Sequence, residues 1–463
     1  MKERSITLSK FVTGLRKYSN SPINTETLVE CFNIIPDNAG LIPSPTITQS
    51  INAVSVDHPF PQVFIGHVHW VCCTRSKIYT INADWTLTLQ LDLNVYYNSF
   101  PNAPQGTWHF ADFFDYVVLT NGGVTVIYNP VDLRWEYNDG VKIPTLGTVL
   151  NFNGQLIGSG RDQIVGDPKT VFGECSSNFL LWGKIGYADF TTDKSNVAGY
   201  RPMPWYGEIY KCLQLGDKIA VYGSGGIAIV GFDEVNTKLI KNLDIGIASR
   251  EAVAGDKKQH VFVDKKGNFR ILKASLEHPD PIYNEFFSTM LGREIVVTHD
   301  STEGRFYITD GVRSFVLTNS GLGEIAQAPT TLFDNIGGVF RGFYTNLNSS
   351  YGYITTDTVD LGSRGGKTIE SIEVGASATA AIQVAVEFRN TKTEVFKSTS
   401  WVTTNPNGVA TIPISGIEFK FKVRCLNYSD FKLNYITIHL KFDDKRFVRG
   451  LTNADKVAAR AGE

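Results

Sequence analysis

The sequence predicts an all-β protein, a β-propeller of about six blades followed by an antiparallel β-sandwich. Three observations predict it. Almost every segment alternates apolar and polar residues over short runs broken by Gly, Asn and Asp, the pattern of strands and hairpins. A strand–turn–strand unit recurs along the first two thirds of the chain. After Pro329 the patterning changes to longer, clean alternation.

The recurring unit is clearest where its turn is chemically specified. Trp70–Cys73 turns at 74–77 into 78–81, and Tyr116–Thr120 turns at Asn121-Gly122-Gly123 into 124–128. Residues 218–222 turn at the glycine-rich 223–226 into 227–231, Gln259–Val263 turns at 264–267 into 268–272, and Arg305–Thr309 turns at Asp310-Gly311 into 312–317. Asn-Gly and Asp-Gly supply the positive backbone φ that tight hairpins need. The second strands start about 41–46 residues apart, apart from one double gap, which is the size of a four-stranded propeller blade. An irregular unit, 153–159 plus 180–184, fills the gap. A set of unrelated hairpins in stacked sandwiches is the competing arrangement.

The domain plan in chain order is a proline-containing lead-in over 1–50 that joins the propeller or a neighbour, the propeller over 51–330, the sandwich over 331–445 and a polar tail over 446–463. The sandwich strands are expected at 355–361, 368–374, 381–389, 408–414, 419–426 and 432–442. Helices are expected only at 24–32, capped by Asn24 or Thr25, at 284–291 and in the tail.

Composition narrows the function classes. Of 463 residues 42% are hydrophobic and 19% charged, which excludes a disordered chain. With 44 basic against 46 acidic residues the net charge is −2, so there is no general basic footprint for nucleic acid. Residues 1–10 lack the apolar core of a signal peptide, and the most apolar stretch, 219–232, is interrupted by Gly223, Ser224, Gly225 and Gly226, so no membrane-spanning helix is expected. Cys31, Cys72, Cys73, Cys175, Cys212 and Cys425 have no regular spacing and mostly lie in apolar runs, which reads as buried, reduced thiols.

No motif reaches the specificity of a catalytic or cofactor site, and the protein is expected not to be an enzyme and to carry no cofactor or metal. The LGSRGGKT stretch at 361–368 leaves three residues, not four, between Gly362 and Gly366 and precedes a strand, so it fails as a phosphate loop. His67, His69, Cys72 and Cys73 lack the second pair that closes a zinc site, and the adjacent cysteines point to opposite faces of a strand. Ser224, in GSGG, has no nucleophile-elbow context. His299, Asp300 and Glu303 form an acid–base cluster on paper but fall in a turn, where polar residues belong anyway. The segment 200–210, YRPMPWYGEIY, sets Tyr200, Arg201, Trp205 and Tyr206 beside two prolines. Exposed, these are interface residue types; buried, they are an inter-blade crossing.

Several segments together resemble the tail nozzle proteins of short-tailed bacteriophages, also called tail accessory or packaged-DNA stabilisation proteins. ECFNIIPDNAGLIPSP at 30–45 is similar to that family's opening, and LLWGKIGYADF at 180–190 to its Trp-Ser…Asp-Phe segment. The stretches 209–231 and 245–272 and the final sandwich follow in the family's order, so the resemblance runs over roughly 25–442. Gly183 stands where the family often has a small polar residue, and the tail after Phe447 has no counterpart.

The resemblance implies a structural virion protein that assembles as a homo-hexameric ring beneath the portal-adaptor ring. Such a ring retains packaged double-stranded DNA, channels it on ejection without sequence-specific contact, and docks fibres, spikes or a needle. It also implies assembly in the bacterial cytoplasm and residence in the virion tail. Subunit or partner contacts are expected at Arg201, Trp205, Tyr206, Arg446 and Arg449. The other readings are a receptor-binding or baseplate hub, and a propeller that binds or hydrolyses glycans.

Overall fold

A computed structural model describes residues 3–9, 14–16, 27–38, 40–44, 62–67, 69–137, 142–160, 176–233, 236–326, 329–336, 339–344, 351–362 and 365–442. The chain divides into two compact units, one of 46–316 with 326–347, the other of 1–45, 317–325 and 348–463.

The first unit is the propeller. Blade 1 is Gln62–Ile65, Trp70–Cys73, Lys77–Ile81 and Leu87–Asp92, hydrogen-bonded in chain order. Blade 2 is His109–Phe113, Tyr116–Thr120, Thr125–Asn129 and Arg134–Tyr137. Blade 3 is Val149–Phe152, Gln155–Ser159, Phe179–Ile185 and Gly199–Pro202, and blade 4 is Ile209–Leu215, Lys218–Gly223, Ile227–Asp233 and Asn236–Leu243. Blade 5 has three strands, Val253–Gly255, Gln259–Val263 and Phe269–Lys273, with a bridge from Phe269 to Ile282 at the fourth position. Blade 6 is Val296–Asp300, Arg305–Thr309 and Ser314–Leu317.

A seventh member completes the ring. The hairpin Pro329–Ile336 and Val339–Tyr344 lies beside the first strands of both blade 6 and blade 1. The expected count of about six therefore becomes six sheets plus a closing hairpin. The sequence pattern missed it because it falls just past the compositional shift at Pro329, where the sandwich was expected to begin.

The turns form as their chemistry dictates. The Asn121 side-chain oxygen accepts the amides of Gly123 and Val124, at 2.9 and 3.0 Å. Asp264 and Asp310 do the same for the turns after them, each with a positive-φ glycine, Gly267 and Gly311. Apolar side chains fill the gaps between blades. Val71 and Ile78 of blade 1 meet Val117 and Leu119 of blade 2, and Leu180 and Trp182 of blade 3 meet Ile219 and Val221 of blade 4. Phe287 stacks on Phe269 and meets Phe315 edge-on, joining blades 5 and 6. The helix expected at 284–291 is there as Asn284–Phe287 and a 3₁₀ turn, Ser288–Met290.

The second unit is the sandwich. One sheet runs Ile34–Asp37, Gly40–Pro43, Lys432–Phe442, Lys367–Ser377 and Val409–Gly416, with Glu3–Leu8 also paired to Lys432–Phe442. In the other, Leu28–Phe32, Gly352–Thr356, Glu418–Cys425 and Ile382–Arg389 are neighbours. Inward residues alternate as the sequence predicts: Phe419, Phe421, Val423 and Cys425 are fully buried while the residues between them are not.

Two expectations are corrected here. The lead-in over 1–50 is not a separate segment: Glu3–Leu8 runs antiparallel to the last strand from Glu3↔Lys441 to Leu8↔Ile436, and Leu28–Phe32 pairs with Gly352–Thr356. The helix expected at 24–32 is a strand at Leu28–Phe32, because a partner strand from the other end of the chain takes its backbone hydrogen bonds. The tail over 446–463 lies outside the described residues.

Candidate functional site

The sequence-predicted contact residues separate. Trp205 is 7% exposed and belongs to the core between blades 3 and 4. Its indole lies on the glycine-rich turn: a Cβ at Gly223, Gly225 or Gly226 would come within 3 Å of it. That explains GSGG as a flat seat for an aromatic ring and removes Trp205 from the contact set. Ser224 of the same turn accepts the Glu208 amide at 3.0 Å. Arg201 is half-buried and donates to the Thr237 carbonyl at 2.8 Å. Tyr206 alone of these projects, 96% exposed beside Gly207 at φ 105°. Arg446 and Arg449 lie outside the described residues.

The rejected motifs resolve as structure. Lys367, the lysine of LGSRGGKT, is fully buried and donates to the Gly365 and Ile417 carbonyls at 2.9 and 3.0 Å. Desolvation lowers its ammonium to about 8. His69 lies edge-on to Tyr128, and His299 stacks on Phe306. The Asp300 carboxylate accepts the amides of Thr302 and Glu303 as an ordinary turn residue. Among the described residues no group of three His, Cys, Asp or Glu side chains is placed to hold a metal. No helix there is long and apolar enough to cross a membrane.

Sequence reasoning missed a buried polar network on the innermost strands. His109 opens the first strand of blade 2, Thr148 immediately precedes that of blade 3, Lys211 lies in that of blade 4, and Glu251 precedes that of blade 5. The Glu251 carboxylate takes His109 Nε2 at 2.8 Å and Lys211 Nζ at 2.6 Å. The second imidazole nitrogen, Nδ1, is 2.6 Å from the Thr148 hydroxyl. The Glu251 carbonyl accepts Val297 N–H of blade 6 at 2.8 Å, so Glu251 ties blades 2, 4 and 6 to its own blade 5, and Thr148 joins blade 3 through His109.

Burial alone would raise the Glu251 carboxyl, but Lys211 and His109 outweigh it and hold it well below the ordinary carboxylate range. Desolvation first, then Lys211 and Arg250, lower His109 against the pull of Glu251. The imidazole is therefore neutral, with Nε2–H donating to the carboxylate and Nδ1 accepting the Thr148 hydroxyl. Every charge in the network has its partner, and the arrangement pins blades together. No single segment carries a signal for it, because its members are spread from 109 to 251 and only ring closure brings them together.

No family model and no curated protein matches the chain. Similar solved structures include PorZ, an essential bacterial surface component of the type-IX secretion system of Porphyromonas gingivalis, at 10% identity and TM-score 0.35, covering 67% of this chain and 36% of that one. The extracellular domain of the one-component system BT4673 from B. thetaiotaomicron is similar at 11% identity and TM-score 0.38, covering 80% and 42%. BamB from Moraxella catarrhalis is similar at 9% identity and TM-score 0.34, covering 67% and 96%. The chain thus spans 36% and 42% of the length of the first two. None of the three is a tail nozzle protein, and the fold assignment rests on the sheets described above.

Proposed function

We propose that this chain is a ring-forming structural protein of a bacteriophage tail, a nozzle subunit that retains packaged DNA, channels it on ejection and docks fibres, spikes or a needle. One observation carries the reading. A propeller and a sandwich occur in one chain, the pair of domains that the sequence resemblance implies, and the resembling segments lie in the framework of both. Residues 30–32, 34–37 and 40–43 lie in sandwich strands, while 180–190, 209–231 and 245–272 supply strands of blades 3, 4 and 5.

The mechanism in this reading is mechanical. Subunits repeat one heterologous contact around an axis until a hexamer closes, and Tyr206 is the contact residue retained from the sequence. A chain of net charge −2 suits a conduit, since DNA slides past a surface that does not bind its phosphates. The ion-paired network of Glu251 keeps each propeller rigid under load. Assembly takes place in the bacterial cytoplasm and the product is the virion tail.

Mass photometry of the purified chain with and without the cognate portal-adaptor ring tests this. Six copies on one adaptor ring are expected, whether or not the free chain is monomeric. A chain that stays unbound in the presence of the ring contradicts the proposal.

A further inference from the structure

Residues of blades 2 and 3 line a half-open cavity of about 460 Å³. Its size falls within the roughly 300–1,000 Å³ of small-ligand sites. Three tyrosines line it, Tyr116 and Tyr137 from blade 2 and Tyr187 from the turn after the third strand of blade 3. Tyr187 is 69% exposed. Tyr137 is held in place by stacking on Tyr96 and by donating its hydroxyl to the Asp92 carbonyl at 2.9 Å. Among the described residues the hydroxyls of Tyr116 and Tyr187 have no hydrogen-bond partner.

The polar lining is equally ordered. The Asp189 carboxylate holds Lys184 Nζ at 2.6 Å and the Thr191 amide at 2.7 Å. Glu136 accepts from Asn129 at 3.1 Å and pairs with Arg134 at 3.3 Å. Asp189 is thus paired from outside the cavity by Lys184, Glu136 shares the exposed Arg134 with Asp132, and both carboxylates keep lone pairs free to accept hydroxyls. Lys142 differs: it lines the same cavity, and among the described residues its ammonium forms no ion pair within 4 Å with Glu136, Asp189 or any other carboxylate.

We propose that this cavity binds one pyranose ring of an acidic polysaccharide, a hexuronate unit. Flat tyrosine faces suit the C–H faces of a sugar ring, fixed carboxylate and amide acceptors suit its hydroxyls, and Lys142, the lining cation that is not ion-paired among the described residues, suits its carboxylate. A bare inorganic anion would use the lysine and none of the tyrosines. The proposal stands independently of a role in a virion.

Saturation-transfer NMR on the full chain with methyl β-D-glucuronide and methyl β-D-glucoside tests it. The glucuronide is expected to bind more tightly. Lys142→Gln should weaken it about tenfold, the scale of one charge-assisted hydrogen bond, and leave the glucoside unchanged. Tyr187→Ala should weaken both sugars. Both positions are exposed, and unchanged tryptophan fluorescence checks that the variants fold. No transfer from either glycoside, no preference for the glucuronide, or binding indifferent to both variants overturns the proposal. So does inorganic phosphate displacing the glucuronide equally well from wild type and from Tyr187→Ala, the behaviour of a simple anion site.

Discussion

His260 makes the propeller acid-sensitive by an amount that follows from its surroundings. It is fully buried at the start of the second strand of blade 5, with Nε2–H donating to the Gln214 carbonyl and Nδ1 accepting the Tyr222 hydroxyl, each at 2.9 Å. Desolvation outweighs the Gln214 carbonyl and Asp256, and its pKa falls from 6.5 to about 4. The folded state therefore refuses a proton that the unfolded chain accepts below about pH 6.5. Stability from this residue is complete above that pH, falls as the pH drops towards 4, and changes no further below it. The gap corresponds to about 3 kcal/mol in full and about 2 kcal/mol by pH 5.

The assay is urea unfolding at pH 7 and pH 5, followed by tryptophan fluorescence. Trp70, Trp85, Trp108, Trp135, Trp182 and Trp205 lie in the propeller and only Trp401 in the sandwich, so the signal reports the right unit. His260→Gln lowers stability at pH 7 but should lose about 2 kcal/mol less than wild type between pH 7 and pH 5. Equal acid losses in the two proteins would refute the reasoning, because the buried imidazole would then contribute nothing to proton linkage.

Three further outcomes follow from the same structure. Glu251→Ala leaves Lys211 and His109 without their partner and should cost about 3–5 kcal/mol in the same unfolding assay, with Glu251→Gln costing less. Burial pushes the thiols of Cys31, Cys72, Cys73, Cys212 and Cys425 up and holds them protonated, so a disulfide reagent should titrate at most Cys175 in the native protein and all six thiols after denaturation. Tyr206→Ala should change stability by less than about 0.5 kcal/mol while abolishing adaptor-ring binding, which native mass spectrometry reads directly.

The fold was legible where local chemistry decides it. Asn121, Asp264 and Asp310 mark their hairpins because each side chain caps its own turn. The alternation over 432–442 marks a half-buried strand because inward residues such as Ile436, Ile438 and Leu440 repeat every second position. Distant pairing was not legible. Nothing local says that Thr7 lies against Thr437, so residues 1–50 read as a lead-in. The site suffers the same limit: Tyr206 and Trp205 are neighbours with the same apparent signal, and only the glycine seat at 223–226 separates a buried ring from an exposed one. The Glu251 network and the cleft lined by Lys142 and Tyr187 each draw on different blades, so no sequence window contains them.

Cryo-electron microscopy of whole particles from cells expressing the intact gene cluster tests the central claim most directly. The account predicts six copies of this chain in a closed ring around an axial channel beneath the portal-adaptor ring. A single copy at a fibre tip, or particles that lack the chain altogether, would contradict it.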